Sequence, residues 1–398
     1  MMKRWIILTS LFFSAAGLSA ELSPYAANKA LQANQLAQET RFVEAIELLQ
    51  TTKLNREYDK AYIARMLGVF YWQNEQLNEA ITALQLAVDS HQLVADQAWS
   101  TRRMLADLLL MDQQYQAALT HYYQLIHPTE ADELEAETYQ QLWLRIGQIH
   151  YQLQQWTETL AAITRYESYS KQDEVTPLSL KLGSQLQLEQ WQPAIVSLKR
   201  LITLQSDRSS WWLQLVSLEL RTGQAKQALN SLGLAKLHGV ELTGQELRLL
   251  AQLYAQHGIP ERAAQILASL IEDKTHKVDV ELLTETASYW QRAREWDKAI
   301  ATWSLAADQD VKYYWNVAQL YSLQGNHALV LATLDKVKEK ERQHEVALTR
   351  ARALYKLNRL DDALFEAKRA HHLQPSDQSQ SWVKFLSQLR TINQPIQA

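Results

Sequence analysis

The sequence predicts an all-α protein built as an array of helical hairpins, and three observations lead to this prediction. Glycine and proline, at 10 and 7 of 398 residues, fall well below the roughly 12% of average usage. Leucine, alanine, glutamine and glutamate are abundant, while β-branched runs with strict alternation are absent, which favours helices over strands. A paired-helix pattern also recurs at spacings of 31 to 41 residues along the chain.

The first twenty residues are typical of a secretory signal peptide. Lys3 and Arg4 form a positive start, residues 5–16 are apolar, and small residues end at Ala20. The apolar run is shorter than the ~20 residues that span a bilayer, so we predict cleavage after Ala20, with Ala16 as the alternative. The chain has no cysteine, which excludes a lipid-anchored form, disulfides and thiolate metal sites. We therefore expect the protein in a bacterial periplasm.

The charge of the chain is nearly balanced. Its net charge is −4 and its isoelectric point is about 6.3. Removal of Lys3 and Arg4 with the signal peptide would leave −6. There is no basic block, so the composition argues against a nucleic-acid partner.

Residues 61–87 contain the best-formed helical hairpin. The turn at 74–77 separates two short helices, neither of which would be stable alone. Gly68 and Ala80 lie where two helix backbones must approach closely, with larger side chains around them. We expect six residues of this hairpin to be buried between the helices: Leu67, Gly68, Tyr71, Ala80, Leu84 and Ala87.

A small residue near the start of each second helix marks the repeats, and we call it the anchor. Successive anchors are 35, 38, 41, 35, 34, 35, 36, 31 and 33 residues apart. They account for nearly the whole chain after residue 20. The ten anchors are Ala45, Ala80, Ala118, Thr159, Ala194, Ala228, Ala263, Ala299, Val330 and Ala363.

The first helices share a second motif. The Leu-Gly-x-x-Tyr sequence of residues 67–71 recurs in related form at 105–109, 146–150, 250–254 and 317–321. Together with the anchors, this order resembles the tetratricopeptide repeat (TPR) signature. The fifth repeat departs from it, because Leu182-Gly183 lies one residue closer to its anchor. In the sixth repeat, Glu219 replaces an aromatic residue.

The TPR resemblance implies an α-solenoid of about ten helix–turn–helix units over residues 21–375. Residues 376–390, with apolar positions at helical spacing, are expected to form a helix that caps the last repeat. A flexible tail is expected over residues 391–398.

No catalytic motif accompanies the repeats. The sequence has no phosphate-binding glycine loop, nucleophile elbow or His-Glu-x-x-His motif. Its 11 histidines are scattered, and the adjacent His371 and His372 would point about 100° apart on a helix. We therefore predict that the protein is not an enzyme and holds neither a metal nor a cofactor.

The TPR resemblance further implies a concave groove, lined by the first helices, that binds a protein partner. Arginine and aromatic side chains, which often anchor interfaces, occur among the residues at these positions. The Lys and Asn positions of the chaperone-type carboxylate clamp are not reproduced, so a clamp-type C-terminal peptide is not the expected ligand. The residues carried over from the signature are Tyr62, Arg65, Trp72, Arg103, Asp107, Gln148, Tyr151, Arg248, Gln252, Trp315, Gln319, Arg352 and Tyr355.

Several longer stretches resemble one group of exported TPR proteins. These are residues 65–74, 102–115, 177–186, 211–224, 247–264 and 289–303. They are similar to the periplasmic TPR protein encoded beside TonB, ExbB and ExbD in some gammaproteobacteria. That resemblance implies an accessory role in TonB-dependent energy transduction for iron or haem import. It also implies a TonB, ExbB or ExbD component or an outer-membrane receptor as the partner.

Two other functions remain open from the sequence. One is a scaffold for envelope assembly, in peptidoglycan synthesis or in the export of lipopolysaccharide or exopolysaccharide, since those systems also use TPR arrays. The other is a solenoid that binds a sugar or another small molecule, in which tryptophan or tyrosine rings would stack on the ligand. In either case the protein would be at most peripheral to the membrane.

Overall fold

The computed structural model describes residues 21–127, 134–273 and 278–393. Within these ranges every regular element is helical, with 21 α-helices and two short 3-10 turns. This confirms the predicted all-α fold class. The chain divides into two compact units between Leu204 and Gln205, and each is described by itself below. The predicted signal peptide and residues 394–398 of the predicted tail lie outside the described residues.

The N-terminal unit contains five helical hairpins. In each hairpin the first helix packs against the second, and in the first four hairpins the second helix also packs against the first helix of the next hairpin. The helices are α1 (Pro24–Gln38), α2 (Phe42–Gln50), α3 (Glu57–Gln73), α4 (Leu77–Asp89), α5 (Ala95–Met111), α6 (Tyr115–Leu125), α7 (Ala136–Gln152), α8 (Trp156–Tyr169), α9 (Val175–Gln187) and α10 (Trp191–Leu204).

The C-terminal unit contains five more hairpins and a final single helix, with the same order of packing. Short 3-10 turns at Val311–Tyr313 and Lys340–Arg342 precede its last two first helices. The helices are α11 (Ser209–Arg221), α12 (Ala225–Leu237), α13 (Gly244–Gln256), α14 (Pro260–Glu272), α15 (Val280–Arg292), α16 (Trp296–Gln309), α17 (Tyr314–Leu323), α18 (His327–Leu334), α19 (Gln343–Lys356), α20 (Leu360–Leu373) and α21 (Asp377–Asn393).

The repeat register that the anchors predict is confirmed. Every second helix begins three residues before its anchor, and all ten anchors are 0% exposed. Thr159, the polar anchor, donates its hydroxyl to the carbonyl of Gln155 at 2.9 Å. The hydroxyl is therefore satisfied within its own helix, so a threonine fits a position where alanine is usual.

The turn inside each hairpin has one conformation in all ten repeats. The residue five positions before the anchor has a positive φ in every case, between +56° and +78°. Three of these residues are glycines, at 223, 258 and 325, which adopt this region without strain. The other seven have side chains, so the tight turn imposes a conformational cost that the packing of the hairpin must outweigh.

The closest approach of the two helices lies twelve residues before the anchor. A Cβ added to Gly68 would lie 2.5 Å from the Leu84 Cδ2, and one added to Gly147 would lie 2.9 Å from the Ile163 Cδ1. In the fifth repeat Leu182 holds this position. There Gly183 lies beside another helix, because an added Cβ would come 2.5 Å from the Tyr151 hydroxyl on α7. The departure in the sequence therefore serves packing between repeats.

The second hairpin differs from the expectation at two of its six residues. Gly68, Ala80, Leu84 and Ala87 are buried, but Leu67 and Tyr71 are only half-buried. Helix α3 contacts α1 and α2 as well as α4. Its most buried large side chains are consequently those that several helices enclose, including Ile63, Met66 and Phe70.

Helix α21 packs against α20 and extends three residues past the predicted end of the capping helix. Leu386 is fully buried between α21 and the last hairpin. Arg390 of α21 forms an ion pair with Asp361 of α20 at 2.8 Å. The single continuous array of residues 21–375 stays a prediction.

Candidate protein-interaction surface

The thirteen predicted groove residues occupy four positions on the first helices. The reference point is the small residue that lies twelve positions before each anchor. The stripe residues lie six or three positions before this residue, or one or four positions after it. Positions separated by three or four residues fall on one stripe of a helix. We call this stripe the first-helix stripe.

The first-helix stripe is accessible, in contrast to the anchors. Eleven of the thirteen residues are half-buried, and Gln252 and Arg352 are exposed. Partial burial fixes the side-chain directions while leaving area for contact. The role of these residues in binding stays a prediction, but their local contacts are clear and differ from repeat to repeat.

On α3 the stripe carries Tyr62, Arg65 and Trp72. The Tyr62 ring centroid lies 6.3 Å from that of Tyr58, one turn earlier, and Trp72 packs against the apolar core of the next repeat. Burial raises the pKa of Tyr62 above its usual value. Burial also lowers the pKa of Arg65, because a partly desolvated cation is less stable than one in water.

On α5 the two stripe residues contact different neighbours. Arg103 donates to the Gln141 Oε1 of α7 at 2.7 Å and lies 5.6 Å from the Trp99 ring. Asp107 instead accepts a hydrogen bond from the hydroxyl of Tyr122, on the second helix of its own repeat. Burial, together with this carboxylate, raises the pKa of Tyr122. Asp107 therefore supports the hairpin.

On α7 the stripe residues are Gln148 and Tyr151. Gln148 accepts from Arg145 at 3.2 Å on the same helix. Tyr151 makes an edge-to-face contact with Trp156 at 5.2 Å, and its hydroxyl lies against the Gly183 backbone of α9. Tyr151 thus joins its own hairpin to the next first helix.

On α13 the stripe forms part of a polar network centred on Glu285 of α15. The Arg248 Nε lies 3.3 Å from the Glu285 Oε2 of α15, and Gln252 donates to the Glu285 Oε1 at 3.3 Å. Tyr289 also donates to this carboxylate, at 2.9 Å. Burial and the neighbouring Glu285 raise the pKa of Tyr289 to about 12. Glu285 therefore receives three donors and ties α13 to α15.

Two cavities lie beside the helices. One, of about 430 Å³, is next to Arg248 between the starts of α13 and α15 and has Leu270 and Leu282 in its wall. The other, of about 460 Å³, lies among α4, α5 and α6 beside His121. Burial lowers the pKa of His121, which favours the neutral ring. In the described part of the chain no group of three histidine or carboxylate side chains could hold a metal ion.

In the last two repeats the stripe consists of Trp315, Gln319, Arg352 and Tyr355. The Arg342 guanidinium lies 5.5 Å from the Trp315 ring. Arg352 lies 6.0 Å from the Trp382 ring of α21.

Tyr355 makes edge-to-face contacts with both Trp382 and Phe385 of α21, at 5.9 and 5.4 Å. Helix α21 therefore covers part of the last stripe, and this contact could not be read from the positions of the stripe residues alone.

The internal partners of the stripe were not predicted from the sequence. Gln141, Glu281 and Glu285 each bond an arginine from the preceding first helix. They lie six or two residues before the small residue of their own helix. A comparison of these two positions between successive repeats could have identified the paired arginines.

Three solved structures illustrate what the chain is similar to. A tetratricopeptide repeat protein from Parabacteroides merdae ATCC 43184 is 16% identical, with a TM-score of 0.36 over 66% of this chain and 99% of that one. The C-terminal part of a TPR repeat-containing protein from Cytophaga hutchinsonii is 16% identical, with a TM-score of 0.38 over 70% and 95%. MamA from Desulfovibrio magneticus RS-1 is 15% identical, with a TM-score of 0.35 over 46% and 96%.

The helical hairpins and their stripe define a helical-repeat protein, and its similar structures include TPR proteins. Similarities at this level carry no argument about function. No protein-family model matches the chain, and no curated protein matches it. Among the described helices, none combines the length and the apolar character needed to cross a membrane.

Proposed function

We propose that this protein is a non-catalytic periplasmic adaptor that binds a protein partner through the first-helix stripe. We further propose that it is accessory to TonB-dependent energy transduction in iron or haem uptake. Its partner would then be a TonB, ExbB or ExbD component or an outer-membrane receptor.

One observation carries the adaptor proposal. All ten anchors are fully buried while none of the thirteen stripe residues is, so the repeat separates the residues that hold the hairpins together from those left at the surface. The stripe is rich in arginine and aromatic side chains, which contribute much of the binding energy at many interfaces. These features support recognition of a protein surface.

The location and the TonB system rest on the sequence. The charged start and apolar run of residues 1–20 support export. The resemblance of six stretches to the TPR protein encoded with TonB systems supports the choice of partner.

The test is site-specific photo-crosslinking in a gammaproteobacterial host with a TonB system, grown under iron limitation. A photoreactive phenylalanine would replace Tyr62 in one strain. In a control strain it would replace Phe365, which is 67% exposed on the second helix α20. We expect crosslinks from position 62 to a TonB-system protein in the periplasmic or membrane fraction, with none from position 365.

Three outcomes would contradict parts of the proposal. Crosslinks from position 62 only to cell-wall or polysaccharide-export proteins would replace the TonB role with envelope assembly. Equal crosslinking from both positions would remove the stripe as the binding surface. Retention of the protein in the cytoplasm would overturn the periplasmic location.

A further inference from the structure

Three arginines of the first-helix stripe occupy the same position in three repeats. Arg65, Arg103 and Arg248 each lie three residues before the small residue of their helix. Because the hairpins share one register, these side chains leave their helices in equivalent directions. Any difference in their partners must therefore come from the neighbouring helices.

Arg103 and Arg248 each have a polar partner on the next first helix, although the Arg248 Nη2 is buried without a hydrogen bond. Gln141 of α7 accepts from Arg103 at 2.7 Å. Glu285 of α15 lies 3.3 Å from Arg248, and Glu281 lies 3.8 Å away. Gln141 and Glu281 hold the position six before the small residue of their helix, and Glu285 holds the position two before it.

The next first helix, α5, has neither an amide nor a carboxylate side chain at the equivalent positions beside Arg65. Helix α5 lies beside α3, since the Tyr58 hydroxyl of α3 donates to the Gln97 Oε1 of α5 at 3.3 Å. At the two positions just defined, α5 carries Ser100 and Met104. The Ser100 hydroxyl donates to the carbonyl of Gln97, within its own helix.

Arg65 is consequently different from the other arginines on the described first helices. Seven of the others have an ion pair, a hydrogen bond or a ring contact, whereas Arg65 has none of these within the described ranges. The partners are Gln124 for Arg102, Gln141 for Arg103, Gln148 for Arg145, Glu285 for Arg248, the Ala255 carbonyl for Arg292, Asp335 for Arg350 and the Trp382 ring for Arg352, and Arg221 also has a contact.

A half-buried guanidinium without a partner has lost part of its water without gaining a compensating charge. The ionisable groups that act on it electrostatically are the hydroxyls of Tyr62 and Tyr58, and burial lowers its pKa. Among the described residues, no lysine or arginine is among the groups that act on Arg65 electrostatically, and a single cation suits an anion of one charge better than a phosphate. A carboxylate can satisfy the fork of an arginine with two parallel bonds.

We propose that Arg65 receives the carboxylate of an acidic side chain from an extended partner segment that lies along α3. This inference rests on the proposed adaptor function and names the chemistry its partner must present. The Tyr62 ring lies beside the arginine, where it would contact the apolar part of that segment. A segment that lies along α3 continues past Arg65 in both directions, so the carboxylate belongs to a side chain and not to the end of the segment.

The test uses modification of arginine by phenylglyoxal on the mature full-length chain, with the rate at each residue measured by mass spectrometry. The probes are tetraglutamate and tetraglutamine peptides with both ends blocked, and tetraglutamine with a free C-terminal carboxylate. We expect blocked tetraglutamate to slow the modification of Arg65 by at least about threefold. We expect no such protection at Arg248, because Glu285 already occupies it.

The matched variants are Ser100→Glu and Ser100→Gln. The glutamate would place a carboxylate on α5 at the position that Glu281 holds on α15. We therefore expect Ser100→Glu to slow the modification of Arg65 and to abolish its protection by tetraglutamate. Ser100→Gln should keep the protection. Equal protection by blocked tetraglutamine would overturn the proposal, as would the absence of protection. Stronger protection by free-acid tetraglutamine would overturn the side-chain source.

The inference and the proposed function fail separately. Protection of Arg65 without any crosslink to a TonB-system protein would leave the carboxylate site standing and remove the proposed partner. Crosslinking that survives Arg65→Gln, together with unprotected Arg65, would leave the adaptor standing and remove the carboxylate site.

Discussion

Helices α3 and α13 have the same place in their repeats, yet their stripes are in opposite states. On α13, Arg248 is ion-paired to Glu285, which also accepts from Gln252 and Tyr289. On α3, the equivalent Arg65 lies beside tyrosine side chains and has no carboxylate partner within the described ranges. The difference arises on the following helix, which presents Glu285 in one case and Met104 in the other.

The repeat position of Arg65 and Arg248 can therefore serve either packing between repeats or binding of another molecule. A pair of opposite charges that is part-buried between neighbouring helices joins successive repeats, provided that both members remain. An arginine that is half-buried and left unpaired adds no ion pair to the stack, but it keeps its hydrogen-bonding capacity for another molecule. A groove made of identical repeats can therefore concentrate recognition in a few of them.

Helices α3 and α13 can be compared only if they share one packing register. Overpacking at the helix–helix contacts tests this register and should have the largest effect on stability. Gly68→Leu and Ala263→Leu should each lower the free energy of unfolding by about 1–3 kcal/mol, because both residues are fully enclosed at a helix–helix contact. Thermal melting would measure the loss, with Gln256→Leu at an exposed position of α13 as the control. Melting like the wild type would contradict the close helix–helix packing at these two positions.

Removal of the two arginines should have unequal effects. Arg248→Met leaves Glu285, only 18% exposed, without its cation, and should lower the free energy of unfolding by about 1–2 kcal/mol. Arg65→Met breaks no internal pair and should lower it by less than about 0.5 kcal/mol. Urea unfolding of both variants gives the comparison, since the two substitutions remove the same groups. Equal losses would mean that Arg65 has a partner within the protein.

The sequence predicts the hairpins well because the anchor, the turn and the small residue lie close together along the chain. Their contacts, such as Ala80 with the Gly68 backbone, depend on local helix geometry. The six expected core residues of the second hairpin were less accurate, because Leu67 and Tyr71 are only half-buried. Their burial depends on α1 and α2, which a hairpin considered alone does not include.

The state of the first-helix stripe was harder to predict than the register. Positions on one helix indicate which side chains share a stripe, but several of these side chains have a partner about thirty positions away or more. Glu285, which closes the α13 stripe, and Trp382, which covers Arg352 and Tyr355, are both of this kind. Their contacts need the relative placement of successive helices, which spacing alone does not fix.

The two stripes should also respond differently to high pH. Tyr289 has a pKa of about 12 against an ordinary 10.0. Between these values the unfolded chain loses this proton before the folded chain does, so stability should fall as pH rises from 10 to 12. Glu285→Gln should lower the pKa of Tyr289, since it removes a neighbouring negative charge. Tyrosinate absorbance during a pH titration, corrected with Tyr289→Phe, would measure the shift.

On α3, substitution of the charged neighbour should change the tyrosine pKa in the opposite direction. Arg65 opposes the rise that burial causes in the pKa of Tyr62, so Arg65→Gln should raise that pKa further. A Tyr62→Phe background identifies the signal. Shifts of the same sign in the two helices would contradict the view that Tyr62 has a cation beside it while Tyr289 has a carboxylate.

The smallest expected effect is that of a substitution that gives Arg65 on α3 a carboxylate partner, as Arg248 has on α13. Ser100→Glu places a carboxylate on α5 at the position that Glu281 holds on α15. It should raise the free energy of unfolding by about 0.2–1 kcal/mol, because an exposed ion pair contributes little. Ser100→Gln controls for side-chain size, and the gain should shrink in high salt.

The decisive measurement is the coupling between positions 65 and 100. If the gain from Ser100→Glu disappears in an Arg65→Met background, the two residues interact across α3 and α5. A gain of equal size in both backgrounds would place the new carboxylate out of reach of Arg65. The difference between Arg65 and Arg248 would then be due to Met104 alone. Met104 stands in place of Glu285, which makes the closer contact with Arg248.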